Sequence, residues 1–340
     1  MQTVLANNRQ TRRRIHIRPN LTIMKGTIAD LKFVRYGDII VPIIMGKERR
    51  RVINSIVPQG LYQYVNYLLT VNNNAKAGNV SISGWNSSPS NVIQLLNNGS
   101  VVQTLNATVL PALNGNTVIW IFIVNDLSSA SYTANQLNLF ASVSYIYSHN
   151  YISLSGAVAD DNIQFSPPFN LATATANIVK QSGEAISFVW EIQLNLGSIA
   201  LTDFVYGILY SIPTFSSCGG TVGTFGGTYT GAFPGGNGAN FTPYYFSSIT
   251  LQYLGGSSSA NIASITISYD GTNTYLVMSA SMSLSSQETA TSVVINVSGS
   301  NFCINGQTTS SGSAIQVPYS ATVPSGTINI TVTIEFSPAT

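Results

Sequence analysis

Apolar and polar residues alternate along most of the chain. AISFVWEIQLNL (residues 185–196) and TINITVTIEF (residues 327–336) show the pattern most clearly, because every second residue is apolar. Such alternation is typical of β-strands that turn one face to the core and the other to solvent. The same pattern occurs over residues 135–148, 261–270 and 291–299. The sequence therefore predicts a chain that is essentially all β.

Two shorter segments refine this prediction. YDGTNTY (residues 269–275) places an Asp-Gly pair between two alternating runs, which predicts a β-hairpin. LYQYVNYLLTV (residues 61–71) is ambiguous between strand and helix. We find no long capped stretch with a period of 3.6 residues elsewhere.

The predicted strands fall into two groups, each of the size of a β-sandwich. AVADDNIQFSPPFN (residues 157–170) separates them, and its polar residues and double proline favour a linker. We therefore predict two tandem antiparallel β-sandwiches of jelly-roll type. The predicted units are a basic N-terminal arm with the first strands (1–51), a first β-sandwich (52–156), a linker (157–168) and a second β-sandwich (169–340).

A glycine-rich segment with scattered aromatic residues occupies residues 216–243 of the second unit. It is not a phosphate-binding loop, because no Lys-Ser or Lys-Thr pair follows the glycines and the flanking segments are predicted strands. We interpret it as a long surface loop for subunit contacts or exterior decoration.

Positive charge is concentrated at the start of the chain. Twelve of the 14 Lys and Arg residues lie within residues 1–51, where three acids oppose them, giving a net charge of +9. The rest of the chain holds two lysines and nine acids, a net charge of −7. Such asymmetry suggests that one end faces an anionic partner. A solvated tail is the alternative, but apolar residues such as Ile15 and Ile17 interleave with the arginines and favour an ordered arm.

The arm fits a membrane surface better than a nucleic acid. Its basic residues lie beside apolar residues, as in membrane-surface segments, whereas the aromatic residues of a nucleic-acid groove are limited to Phe33 and Tyr36. Docking against a neighbouring subunit would have the same pattern. The residues assigned to this contact are Arg9, Arg12, Arg13, Arg14, Arg18, Lys47, Arg49, Arg50 and Arg51.

The remaining surface is predicted to be polar but uncharged. Charged residues make up 8% of the chain, against roughly 25% in typical soluble proteins. This composition suits an extracellular, even acidic, medium. The first 30 residues nevertheless contain no apolar segment of signal-peptide length. A protein that is assembled inside a cell and released by lysis would combine both properties.

Catalytic and metal-binding patterns are lacking. The motifs GxSxG and HExxH are absent, and only His16 and His149 are available as imidazole ligands. Asp160 and Asp161 are expected to be solvated loop acids rather than a calcium site or, with Glu184 or Glu191, a glycosidase pair. We therefore expect no enzymatic activity, no metal, no cofactor and no small-molecule substrate.

Two kinds of covalent modification are candidates. Cys218 and Cys303 either form one disulfide or remain two buried thiols. Asn-x-Ser/Thr sequons make a glycosylated outer face plausible if the host glycosylates. The candidate acceptors are Asn79, Asn86, Asn98, Asn106, Asn296 and Asn329.

The size, two-part β organisation, neutral surface and basic terminal arm together resemble a known family. They are similar to capsid proteins of icosahedral DNA viruses with an internal membrane, in particular the double jelly-roll major capsid proteins of turreted archaeal viruses from hot acid springs. The resemblance implies a virion subunit, assembled in the host cytoplasm, that forms homo-oligomers and contacts other capsid proteins and the internal membrane. It implies no specific nucleic acid.

Two other interpretations stay open. A penton-base or turret protein at the five-fold vertex would also combine an embedded N-terminal part with outward β domains, and this chain ends in TVTIEFSPAT where relatives carry a basic helix. A secreted carbohydrate-binding or adhesin protein is the second alternative. If residues 1–18 act as a separable arm, their deletion should leave the sandwiches folded and prevent particle assembly.

Overall fold

The fold is nearly all β, as the alternation predicts. The computed structural model describes residues 2–3, 12–36, 39–74, 90–150, 160–197, 214–215, 223–224, 245–298, 302–304, 307–309 and 312–339. The ambiguous segment is helical and forms α1 (Pro58–Asn74). The strands before it are β1 (Gln2–Thr3), β2 (Arg12–Gly26), β3 (Leu31–Tyr36), β4 (Ile39–Ile44), β5 (Glu48–Val52) and β6 (Asn54–Ile56), with a 3-10 turn at Ile28–Asp30.

Twenty strands follow the helix within the described ranges. Those up to Thr224 are β7 (Val92–Asn97), β8 (Ser100–Asn106), β9 (Thr108–Asn114), β10 (Thr117–Asp126), β11 (Tyr132–Ala141), β12 (Ser144–Asn150), β13 (Asp160–Phe165), β14 (Phe169–Lys180), β15 (Ala185–Asn195), β16 (Thr214–Phe215) and β17 (Gly223–Thr224). The others are β18 (Tyr245–Tyr253), β19 (Gly256–Asn261), β20 (Ser264–Tyr269), β21 (Thr274–Leu284), β22 (Glu288–Ser298), β23 (Phe302–Ile304), β24 (Gln307–Thr309), β25 (Gly312–Val323) and β26 (Gly326–Pro338).

The strands form three main sheets around one core. The large sheet has nine strands in the order β20-β21-β26-β2-β15-β10-β9, with β1 beside β26 and β5 beside β2. A five-stranded sheet has the order β6-β14-β11-β7-β8, and a four-stranded sheet has the order β19-β18-β22-β25. Apolar residues of all three sheets, such as Ile15, Leu95 and Ile249, belong to one continuous buried cluster. The predicted hairpin at YDGTNTY is confirmed, because β20 and β21 pair antiparallel on either side of it.

Two segments of the chain have the same strand topology. In the first repeat, β7 pairs with β8, β9 with β10, β7 with β11, β11 with β14, and β10 with β15. In the second repeat, β18 pairs with β19, β20 with β21, β18 with β22, β22 with β25, and β21 with β26. An inserted pair falls at the same place in both, as β12–β13 and β23–β24. The described strands therefore contain one seven-stranded topology twice, and we call this repetition the duplication.

The duplication changes where the chain divides. The first repeat continues to Asn195 and the second begins at Tyr245, so the segment predicted as a linker (157–168) lies inside the first repeat. β13 occupies half of that segment and pairs with β12. Its polar and proline-containing sequence reflects the borders of an inserted hairpin rather than a boundary between domains. Most of the predicted glycine-rich loop, residues 216–243, lies outside the described residues.

Strand β2 joins the two repeats at the centre of the large sheet. It pairs antiparallel with β15 along one side and parallel with β26 along the other. Its inward residues Ile15, Ile17 and Leu21 are fully buried. Residues 12–26 are therefore a central strand and not an arm that extends from the sheets. Deletion of residues 1–18 would expose backbone groups of β15 and β26, so folding is not expected to survive it, contrary to the sequence-based expectation.

A hairpin formed by β3 and β4 covers part of the outer face of the large sheet. Val41 and Ile43 of the hairpin pack in a second apolar cluster with Met24, Ile121 and Val189 of the sheet. This cover explains why Val189 interrupts the polar face of AISFVWEIQLNL. Two hydrogen bonds fasten the hairpin, from Asn125 Nδ2 to the Pro42 carbonyl at 2.8 Å and from the Ile44 amide to Ser187 Oγ at 2.7 Å.

Helix α1 packs against strands of both repeats. Tyr64 is buried against the ring of Trp120, with 5.2 Å between the ring centroids. Gly60 permits the close approach of the helix to β14, because a Cβ at this position would lie 1.7 Å from the backbone oxygen of Asn170. A glycine near the start of this helix is thus required by packing and not by backbone conformation.

Gly60→Ala is expected to destabilise the fold by about 2–3 kcal/mol, because overpacking against backbone forces the helix to shift. Helix propensity alone predicts a gain of about 1 kcal/mol, so the two causes differ in sign. Chemical denaturation measures the change in the free energy of unfolding. Gly255→Ala is the matched control, since nothing lies within 4 Å of a Cβ there. A stabilised Gly60→Ala variant would contradict the packing of α1 on β14.

Candidate interaction surface on the large sheet

The basic residues of β2 point away from the core. Ile15 and Ile17 are buried, whereas Arg14, His16 and Arg18, between and beside them, are exposed. This is the period-two geometry of a strand with one face in the core. The sequence RRRIHIR therefore places alternate cations on the outer face of the large sheet.

Strand β5 brings the second basic segment to the same face. In the antiparallel register, Arg51 lies opposite Thr22 and Arg49 opposite Met24. Opposed residues of neighbouring strands share a face, so Arg49 and Arg51 point outward, and both are exposed. We call Arg14, Arg18, Arg49 and Arg51 the outer basic face. The structure thus brings together four of the nine residues predicted for the contact.

The outer basic face is only partly neutralised. Arg14 Nε donates a hydrogen bond to Glu335 Oε2 at 3.0 Å, and the Glu335 side chain is 2% exposed. Arg18, Arg49 and Arg51 form no ion pair within the part of the chain that the structure describes. Glu191 lies on the same face, opposite Asn20. Four arginines along the outer face of β2 and β5 therefore meet two acids, and this face carries an excess of positive charge.

The other residues predicted for the contact lie elsewhere. Arg50 turns to the five-stranded sheet, where its guanidinium donates to the Asn177 carbonyl. Arg13 lies on the inward side of β2 and is half-buried. Lys47 is exposed in the turn before β5. Arg12 belongs to β2, but its side chain is outside the described part of the structure. Arg9 lies outside the described residues.

Sequence reasoning missed the part of this surface that the hairpin contributes. Lys32, Phe33, Arg35 and Ile40 are all exposed on β3 and β4. Alternation in LKFVRY, where charged and apolar residues share each face, was the available signal. This signal could not be interpreted from the sequence, because the hairpin packs on the large sheet. No local pattern reveals which face of the hairpin that contact buries.

The modification candidates separate by exposure. Asn98 is exposed in the β7–β8 turn, and Asn106 is exposed at the end of β8. Asn296 is half-buried and donates to Ser248 Oγ and Thr250 Oγ1, and Asn329 is half-buried within β26. Asn79 and Asn86 lie outside the described residues. The same holds for Cys218 and for the side chain of Cys303 in β23, so the disulfide stays a prediction.

A buried ion pair joins Asp126, at the end of β10, to Lys180, at the end of β14. The side chains of Lys180 and Asp126 are 0% and 1% exposed, with 3.6 Å between Nζ and Oδ1. Lys180 Nζ also donates to the carbonyls of Ser128 and Ala130. Tyr132 donates to Asp126 Oδ2 at 2.8 Å, and burial followed by this bond raises the pKa of its phenol. Because every group is held by internal bonds, this cluster stabilises the β10–β11 turn and offers no free acid or base.

Neither a metal site nor a spanning helix emerges from the described residues. No group of three His, Cys, Asp or Glu side chains there is arranged to hold a metal ion. No helix in that part of the chain is long and apolar enough to cross a bilayer. Comparisons with protein-family models, curated proteins and solved structures found no match to the chain.

Lys180→Met is expected to lower the free energy of unfolding by about 3–5 kcal/mol, because it leaves a buried carboxylate without its cation. Lys25→Met is the control, since its pair with Glu184 is partly exposed, and should cost about 1 kcal/mol or less. Denaturation curves measure both. In the double variant Asp126→Asn/Lys180→Met, part of the loss should be recovered. Equal losses for Lys180→Met and Lys25→Met would contradict the structural role of the buried pair.

Proposed function

We propose that this protein is a virion structural protein, a self-assembling subunit of an icosahedral capsid. In its finer form the proposal is a major capsid protein whose two repeats are tandem β-sandwiches. The outer basic face then contacts an internal membrane or a neighbouring subunit. The jelly-roll strand order stays a prediction, and the proposal does not depend on it.

The observation that carries the proposal is the lack of charge on the terminal strands of the three main sheets. The strands at the ends of the three sheet orders are β9 and β20, β6 and β8, and β19 and β25. None of these six strands contains Lys, Arg, Asp or Glu, whereas β5, which branches from β2 and pairs with no other described strand, has four charged residues. Monomeric β proteins commonly protect their edges with charged residues, because unpaired backbone groups invite association with other chains. Charge-free edges favour a protein that associates with copies of itself.

The duplication supports the same proposal. One chain with two equivalent units presents two similar sets of edges and faces. A ring of such chains therefore has approximately twice as many similar units as it has chains. Three such chains would approximate a hexagon, as in the family that the sequence resembles. Closed symmetric assembly is the usual outcome for homo-oligomers. The neutral polar surface is compatible with contacts that depend little on pH.

A vertex protein is the second candidate, because charge-free edges and a duplicated unit serve a five-fold ring equally well. A carbohydrate-binding protein has less support. Tyr62 and Tyr269 form an aromatic pair, with 5.3 Å between ring centroids. They stack on each other and are half-buried, so they present no open platform for a sugar ring.

The direct test is the assembly state of the purified full-length protein, by mass photometry with negative-stain imaging at acidic and neutral pH. We expect trimers or pentamers that associate into sheets or shells, with the symmetry separating a major capsid protein from a vertex protein. A stable monomer at every pH and concentration would overturn the capsid proposal.

A lysine on an edge strand should prevent association without unfolding the protein. Thr266 is exposed on β20, at the edge of the large sheet, and Thr266→Lys is expected to shift the oligomer mass towards the monomer. Ser281→Lys is the matched control, because Ser281 is exposed on the same face of β21, an interior strand that pairs with both β20 and β26. Mass photometry compares the two variants, and equal oligomerisation would exclude the β20 edge as a contact.

A further inference from the structure

The hairpin of β3 and β4 carries apolar residues on both of its faces. Its inner residues Val41 and Ile43 are buried against the large sheet. On the outer side, Phe33 is 74% exposed and Ile40 is 62% exposed. In the register, Phe33 lies opposite Pro42, and Arg35 lies opposite Ile40. An apolar row with an arginine within it therefore faces solvent on a hairpin that the core holds in place.

Exposed apolar residues are concentrated at this hairpin. Of the ten large apolar side chains that are exposed in the described part of the chain, four lie between residues 28 and 45. The other two members of the group are Ile28, 61% exposed, and Met45, 47% exposed. The Met45 amide donates to the Asp30 carbonyl at 2.9 Å, which ties the two ends of the hairpin segment together. Clusters of this kind mark interaction sites more often than scattered single residues do.

Cations surround the apolar group. Lys32, Arg35 and Lys47 are exposed on the hairpin segment. The outer basic face lies on β2 and β5, the strands that continue directly from the two ends of this segment. The acids of residues 28–48 are Asp30, Asp38 and Glu48, of which Asp38 lies outside the described residues. They equal Lys32, Arg35 and Lys47 in number, so the excess of positive charge beside Phe33 and Ile40 comes from the outer basic face.

We propose that the hairpin and the outer basic face together dock on the surface of an anionic lipid bilayer. Phe33, Ile40 and the neighbouring apolar residues enter the interfacial region, and the lysines and arginines meet the headgroups. Bilayer interfaces select this combination, because apolar area and basic charge both contribute to peripheral binding. The proposal deepens the proposed function by naming the partner of the outer basic face, and it rests on that function only for the identity of the membrane.

The arrangement fits a bilayer better than a nucleic acid. Binding to single strands uses aromatic side chains on which successive bases stack, and Phe33 is the one exposed aromatic residue described on this surface. Ile28, Ile40 and Met45 have no role in contacts with phosphates. A lipid interface accommodates both the aliphatic side chains and the cations.

The test is flotation of the full-length protein with phosphatidylcholine vesicles, with and without phosphatidylglycerol, at low and high salt. We expect binding to the anionic vesicles only, weakened by salt because the charges are exposed. Phe33→Ser/Ile40→Ser and Arg49→Gln/Arg51→Gln should each reduce binding about tenfold. Leu254→Ser is the control, since Leu254 is 81% exposed in the β18–β19 turn, and should bind as the unchanged protein does.

Thermal unfolding of each variant checks that lost binding does not reflect lost folding. Equal binding to neutral vesicles, no flotation, or an equal loss in Leu254→Ser would overturn the proposal. Binding to duplex DNA but not to lipid would also overturn it. Assembly is measured without lipid, so shells without flotation would reject membrane docking alone, and flotation without assembly would reject the capsid proposal alone.

Discussion

The pairing of β2 on both of its sides is the constraint on which the rest of the structure depends. One side bonds antiparallel to β15 of the first repeat, and the other bonds parallel to β26 of the second repeat. Without β2 the two repeats would each end in an open edge at the middle of the large sheet. The strand also fixes the outer basic face, because its alternation buries isoleucines on one side and exposes arginines on the other. Alternate residues of this one strand thus specify the core packing and the surface charge.

The remaining architecture follows from the duplication around this strand. Each repeat supplies one edge-to-centre half of the large sheet and a second sheet that packs on it. The segment between β2 and β5 is not part of the large sheet. It forms the β3–β4 hairpin, which packs on the outer face of that sheet. The hairpin part of the interaction surface is therefore an insertion between two neighbouring strands, β2 and β5. Its position is set by the core beneath it rather than by a separate domain.

Local patterns predicted the strands well, because alternation reports which face of a strand is buried. They did not predict the role of residues 12–26, since arginines at the exposed positions resemble a solvated arm when the partner strands are unknown. Arg14 and Glu335 are 321 positions apart in the sequence, so no local signal reveals their contact. The duplication was also hidden, because equivalent strands such as TVIWIFIVND and TYLVMSASMSL share topology rather than residues. The clustering of charge in the sequence identified the basic residues of the interaction surface. Its apolar residues could be identified only from the structure, which shows how the hairpin packs.

Amide hydrogen exchange of the full-length protein tests the central role of β2 most directly. The account predicts that the amides of residues 15–23 are among the slowest to exchange, together with their partners in β15 and β26, because they open only with the whole sheet. Rapid exchange over residues 12–18, with slow exchange retained in β15 and β26, would show a detachable arm and contradict the account.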